Sequence, residues 1–256
     1  MEQGALKVWS EREGRLLRLR LARPKANLID GAMIAALSRA LAEAASAPHL
    51  TALLLDAEGP NFSFGASVEE HLPANCAAML SALHTLILQM LEAPVPILAA
   101  VRGQCLGGGL EVAAAAGLIF AAPQAKFAQP EIKLGVFAPA ASCLLPERLG
   151  PACAQDLLFS GRSLGAEEAL RIGLVHAVCD DPEAAALAYF DANLAPLSAS
   201  SLRFAVKAAR LGIADRVRDK LQAVEHLYLE GLMATADALE GLNSFLEKRP
   251  ARWQDR

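Results

Sequence analysis

Between Ile97 and Ala116 a buried strand, a glycine-rich turn and an apolar helix follow one another, and this run constrains the fold more tightly than any other. Ile-Leu-Ala-Ala-Val at 97–101 carries no polar side chain, as expected of a strand covered on both faces. Gly103 and the triplet Gly107-Gly108-Gly109 then form a turn with little side-chain bulk. Leu110–Ala116 reads as a helix and Leu118–Ala121 as the next strand. Strand, helix and strand in this order favour an α/β core with right-handed crossovers.

The rest of the chain extends that pattern. Leu6–Ser10 and Leu16–Leu21 read as a hairpin around Glu13-Gly14, and Arg23-Pro24-Lys25 ends its second strand. Asp30 has the place of an N-cap, because Met33, Ile34, Leu37 and Leu41 recur at helical spacing after it. Leu50–Leu55 is a short buried strand, and the loop Glu58–Ser67 follows it. A second helix runs from Ala74 to Leu91 and is stopped by Pro94 and Pro96. From about Pro139 the pattern is mostly helical: Glu167–Ile172, Pro182–Leu194, Ala199–Leu211 and Arg216–Leu246, with Leu174–Val178 as one isolated strand. The expected division is an α/β core over 1–197 and a helical region over 198–256. No linker or low-complexity tract separates them, so they should pack together.

Composition excludes several classes. A chain of 256 residues that is 54% apolar and 20% charged is not disordered, and it is long enough to bury a full core. The balance 24 − 28 = −4 argues against nucleic acid as a main partner. The two longest uncharged apolar stretches, Val112–Ala122 and Val136–Pro146, run 11 residues each, too short to span a bilayer. The charged N-terminal segment lacks the apolar core of a signal peptide. Five cysteines without a CxxC pair read as buried free thiols in a reducing cytoplasm, the expected location. The five histidines show no metal-ligand spacing, so no metal site is expected.

Three features carry chemistry. The segment Gly103–Gly109 has neither a phosphate loop's Gly-Lys-Ser/Thr nor the GxGxxG spacing of a dinucleotide fold. It ends a strand and opens a helix, so it exposes unpaired N–H groups that could bind a developing negative oxygen; a tight turn with no other duty explains it equally. Glu111 is the only Asp, Glu, Lys, Arg or His between Arg102 and Lys126. A carboxylate among such neighbours costs several kcal/mol unless paired and should have a raised pKa, unless it faces solvent from the first helical turn. Glu131 follows Gln129-Pro130, whose turn could aim it, although a surface Glu beside a Pro is commonplace.

Taken together, these pieces resemble the crotonase (enoyl-CoA hydratase/isomerase) superfamily in order and spacing. The resemblance rests on Phe62–Ser67, Ala99–Gly103, Gly107–Glu111 and Phe127–Gly135, and continues through Phe159–Arg162, Ala169–Val175 and Phe245–Arg249. It implies an α/β fold, a crotonase-type spiral of ββα turns with a helical C-terminal region that covers the active site and assembles trimers or dimers of trimers. It maps an oxyanion hole onto the N–H groups of Ala66 and Gly108, and two catalytic carboxylates onto Glu111 and Glu131. It places an acyl-CoA thioester along Lys25, Ala26, Phe64, Gly65, Ala66, Ser67 and Val68, with Phe137 beside the acyl group and Lys248 as a phosphate contact. No cofactor is implied, since CoA is part of the substrate. Within the superfamily the chain is most similar to the cyclohexa-1,5-diene-1-carbonyl-CoA hydratases of anaerobic aromatic degradation, through Phe62–Ser67 and Gly135–Pro146.

The chemistry agrees with that map. Hydration of an unsaturated thioester builds charge on the carbonyl oxygen, which two fixed N–H donors stabilise, while a base and an acid handle water and carbanion. Two departures stand out. Many members of the family carry Asp where this chain has Ser67, and a glycine-rich segment where it has Ala138–Leu144; the second change should reshape the acyl pocket. The alternatives are a straight-chain enoyl-CoA hydratase or isomerase of β-oxidation and, from another class, a crotonase-fold RNA-binding protein. Isomerases commonly use one carboxylate, so retention of both favours hydration.

Overall fold

Apolar alternation and helical spacing resolve into two sheets and ten α-helices in the computed structural model, which describes residues 4–256. The hairpin forms as β1 (Leu6–Glu11) and β2 (Leu16–Leu21), antiparallel, with Leu6 opposite Leu21. Asp30 caps α1 (Gly31–Ala45): its carboxylate accepts the Met33 N–H at 3.0 Å, pairing a donor that the first helical turn leaves free.

Three turns of one pattern follow. β3 (Ala52–Ala57) leads through Ser63 to α2 (Cys76–Leu91). β4 (Ile97–Val101) and β5 (Gln104–Leu106) lead to α3 (Gly108–Ala115). β6 (Leu118–Ala121) and β7 (Lys126–Ala128) lead, after a 3₁₀ turn at Pro130–Leu134, to α4 (Pro139–Leu149). In each turn the first strand joins a larger sheet and the second segment joins a smaller one. Ser63 bridges Cys105 in parallel, and β5 pairs β7 in parallel with Gln104 opposite Lys126. This is the spiral of ββα turns.

The chain continues through α5 (Pro151–Ser160), β8 (Leu164–Gly165), α6 (Ala166–Arg171), β9 (Ala177–Val178) and α7 (Pro182–Asn193). It finishes with α8 (Ala199–Ala209), α9 (Ile213–His226) and α10 (Ala236–Leu246). The larger sheet runs β1-β2-β3-β4-β6-β9 and the smaller β5-β7-β8. Strand periodicity divides the core. Leu53 and Leu55 pack with Ile34, Leu37, Leu83 and Ile87 of α1 and α2, whereas Leu54 faces the other way with Leu98, Phe120 and Phe190. Val217 and Leu221 of α9 are buried in the larger cluster, while Ala238 and Leu242 of α10 pack in a separate one with Cys76, Met79 and Tyr228.

The structure differs from the sequence reading in three places. The smaller sheet was not anticipated, because strands of two or three residues are too short to show a period. Leu174–Val178 is not an isolated strand: β9 pairs in parallel with β6, Phe120 opposite Ala177. Arg216–Leu246 is not one helix. A π turn at Leu227–Gly231 and a 3₁₀ turn at Leu232–Ala234 interrupt it, and Thr235 restarts it by accepting the Ala238 N–H at 3.2 Å. Apolar spacing does not separate these helix types, so only the cap residue marked the break.

All five cysteines are free; Cys76, Cys105 and Cys143 are buried, while Cys153 and Cys179 are half-buried. Among the described residues no cluster of His, Cys, Asp and Glu is placed to hold a metal, and no helix is long and apolar enough to cross a membrane.

Candidate active site

The smaller sheet is what gathers the site. Ala66 follows Ser63, Gly108 follows the end of β5, and Glu131 follows the end of β7; each lies two or three residues beyond its own strand or bridge. Parallel pairing stacks these three exits side by side. Residues far apart in sequence are thereby set next to each other.

Ala66 and Gly108 meet at backbone distance. A Cβ placed on Gly108 would lie 3.1 Å from the Ala66 nitrogen and 3.3 Å from its Cβ, so glycine is what lets the two segments approach. Gly108 is the first residue of α3, whose opening N–H groups have no intrahelical acceptor. Among the described residues neither N–H donates a hydrogen bond within the chain. The preceding Gly107 takes φ 50° and ψ −127°, a conformation open to glycine, and this turn aims the helix opening. A Cβ there would also stand 2.6 Å from Glu131 Oε1, so one carboxyl group lies directly against the donor turn.

Glu111 sits in the first turn of α3 and is 3% exposed. Its Oε1 accepts the Ala141 N–H at 2.8 Å, at the opening of α4. Two effects oppose each other. Burial disfavours the charged form, while the N–H groups of Ala141 and Ala140 favour it. A helix opening contributes about 0.3–2 kcal/mol to a nearby anion, less than the several kcal/mol that desolvation costs. Burial wins, and the Glu111 pKa is pushed up to about 7. Glu131 is pushed up to about 8, by burial first and by the charge of Glu111 second. Two acids that disfavour each other's ionisation share protons near neutrality, as a base and an acid in one reaction require.

A cavity of about 620 Å³ opens onto this arrangement. Phe64, Gly65, Ala66, Ser67 and Val68 form one wall, as the resemblance implies, and Gly107 and Glu131 lie at its polar end. Glu111 and Phe137 are not on the cavity wall. Phe137 packs its ring edge-on against Tyr228 at 5.2 Å. Lys25 and Lys248 are exposed and off the wall; Ala26 adjoins it through its carbonyl, which accepts the Phe64 N–H at 2.9 Å.

Sequence reasoning missed several contributors. Leu242, Phe245 and Leu246 of α10 close the cavity, although nothing in their helical spacing distinguishes this duty from core packing. Ala138–Leu144, read as reshaping the acyl pocket, lies off this cavity's wall, and the N–H groups of its Ala140 and Ala141 hold Glu111. Gln129 is buried beside Glu131, and with its amide turned to donate, the nitrogen lies 3.0 and 3.2 Å from the two carboxylate oxygens. Its position next to Pro130-Glu131 was the one available signal.

Paired backbone donors beside two proton-sharing carboxyl groups suit reactions at the carbonyl of a thioester, and the chain belongs to the enoyl-CoA hydratase/isomerase family, whose sequence model matches residues 11–256. Within that family it is 67% identical over 251 residues to the cyclohexa-1,5-dienecarbonyl-CoA hydratase of Thauera aromatica, covering 98% of this chain and 97% of the relative. It is 33% identical to the carnitinyl-CoA dehydratase of Salmonella enteritidis, over 96% and 97% of the two chains. Among solved structures, the enoyl-CoA hydratase/isomerase of Pseudoalteromonas atlantica superposes with a TM-score of 0.83 at 28% identity, covering 97% of this chain and 99% of that one.

Proposed function

We propose that this protein is a hydro-lyase that adds water to cyclohexa-1,5-diene-1-carbonyl-CoA, giving 6-hydroxycyclohex-1-ene-1-carbonyl-CoA. The observation that carries this reading is the meeting of Glu131, with its raised pKa, and Ala66 on one cavity wall, with Gly108 packed against Ala66 and Glu111 buried in the first turn of the helix that Gly108 opens. The identity of 67% to a hydratase of that name supports the choice of acyl group.

The N–H groups of Ala66 and Gly108 hold the thioester oxygen as charge builds on it. One carboxylate takes a proton from water, whose oxygen attacks the ring carbon β to the carbonyl. The resulting enolate is delocalised through the remaining ring double bond. The other carboxyl group protonates the far end of that system, and the new double bond stays conjugated with the thioester. CoA enters as part of the substrate, and the chemistry calls for no further cofactor.

CoA lies along Phe64–Val68 and Ala26, with Lys25 and Lys248 at the surface to meet its phosphates. The helical region 198–256 covers the site, supported by Leu242, Phe245 and Leu246 on the cavity wall. Copies associate as trimers or dimers of trimers. Phe159, Phe204 and Leu211, each more than 70% exposed, support an association surface of this kind.

The reading is tested with a panel of CoA thioesters assayed for water addition. We expect kcat/KM for the cyclic diene to exceed that for crotonyl-CoA by about tenfold or more, the scale that pocket shape achieves. Equal or better use of crotonyl-CoA would leave a general enoyl-CoA hydratase and remove the ring-specific assignment.

A further inference from the structure

Tyr228 occupies the π turn that interrupts the long C-terminal helical stretch, a helix irregularity that often accompanies functional sites. Its neighbour Leu227 is exposed, yet Tyr228 itself is 0% exposed. Among the described residues its hydroxyl has no hydrogen-bond partner. A buried hydroxyl left alone is costly, and native proteins pair nearly all such groups, with water or ligand where the chain offers nothing.

The surroundings say which ligand. Tyr228 packs with Val136 and Leu242, both on the cavity wall, and against the edge of Phe137. Burial raises the phenol pKa well above its usual range, and the charges of Cys76, Glu131 and Glu111 raise it further. Val136 and Phe137 in turn join the two carboxyl groups: the Val136 N–H donates to the Glu131 carbonyl at 3.2 Å, and the helix that opens just after Phe137 holds Glu111 through the Ala141 N–H at 2.8 Å, so the Tyr228 ring packs against the segment between them. The O–H also stays protonated wherever the enzyme works, so it is a fixed hydrogen-bonding group and no acid or base.

We propose that the Tyr228 hydroxyl hydrogen-bonds the oxygen that is added to the substrate, first as water and then as the ring hydroxyl. The inference rests on the hydratase reading and names one more contact in it. A buried water takes two to four polar partners. Glu111 and Glu131 supply two whose charge changes during the reaction. Tyr228 supplies a third that stays the same: it accepts a hydrogen from water before addition and donates to the hydroxyl afterwards. With its position fixed by packing against Phe137, it holds the oxygen over one ring carbon.

Tyr228→Phe deletes that oxygen and leaves the packing. We expect kcat for the cyclic dienoyl-CoA to fall about tenfold or more, with KM within about twofold and the melting temperature unchanged or higher, since an unpaired buried group is gone. Binding separates this contact from the hydratase reading. The variant should bind 6-hydroxycyclohex-1-ene-1-carbonyl-CoA about tenfold more weakly than wild type, and cyclohex-1-ene-1-carbonyl-CoA, which lacks the hydroxyl, equally well. Unchanged binding of both ligands, or equal weakening of both with a lowered melting temperature, would overturn the proposal. If the wild-type protein hydrated no diene, the hydratase reading would fail, and the ligand pair would still report on the hydroxyl contact.

Discussion

Replacing Glu131 with Gln is expected to lower kcat by about 10²–10⁴-fold while KM for the CoA ester changes little. Glutamine keeps the shape against Gly107 and can still hydrogen-bond, but it neither takes nor gives a proton. Glu111→Gln should behave alike, because its other contacts, the N–H groups of Ala141 and Ala140, are satisfied by an amide oxygen. The double variant should be far less than multiplicatively worse, since removing either carboxyl group already stops the shared proton traffic. Near wild-type turnover in either single variant would remove that residue from the mechanism.

The same substitution has an opposite effect on stability. The Glu111 pKa is raised from 4.5 to about 7 in the folded protein, so folding favours its neutral form. Its contribution is most favourable below the unfolded pKa and is lost as pH rises through this window. At pH 8 the charged group costs up to about 3 kcal/mol, and Glu111→Gln removes that cost. Urea melts should therefore show the variant more stable than wild type at pH 8 and equal to it near pH 4. An enzyme that gains stability as it loses turnover marks a group kept for chemistry.

Gly108→Val should abolish turnover, at least about 10³-fold, because it blocks the gap facing Ala66 and displaces one of the two N–H groups proposed to hold the oxyanion. The first added carbon alone would stand 3.1 Å from the Ala66 nitrogen. Gly108→Ala therefore serves as the milder companion if valine disturbs folding, with circular dichroism to monitor the fold and the hydration assay to read activity. A fully active alanine variant would show that the oxyanion donor lies elsewhere.

Much of this was legible in the sequence because it depended on local pattern. The strand limits Ile97–Val101 and Leu118–Ala121 follow from uninterrupted apolar runs beside glycine turns, and Glu111 stands out as a lone charge in an apolar helix. The resemblance added Ala66, which no local pattern singles out, and gave a role to Glu131, whose place after Pro130 alone fits a surface residue as well. What stayed hidden depends on pairing across the chain. Strands of three residues have no visible period, yet β5 and β7 decide that Ala66, Gly108 and Glu131 converge. The N–H groups that hold Glu111 belong to Ala140 and Ala141, residues without a polar side chain to announce them. Within Arg216–Leu246, read as helical throughout, nothing marks the π turn that holds Tyr228, whose buried hydroxyl has no partner among the described residues.

The most direct test of the central claim is to hydrate cyclohexa-1,5-diene-1-carbonyl-CoA in D₂O and locate the deuterium by NMR. Attack at the β carbon with protonation at the far end of the delocalised enolate places the label on the ring carbon two bonds from the α carbon. The α carbon remains in a double bond and carries none. Deuterium on the α carbon, with the remaining double bond out of conjugation with the thioester, would contradict the account.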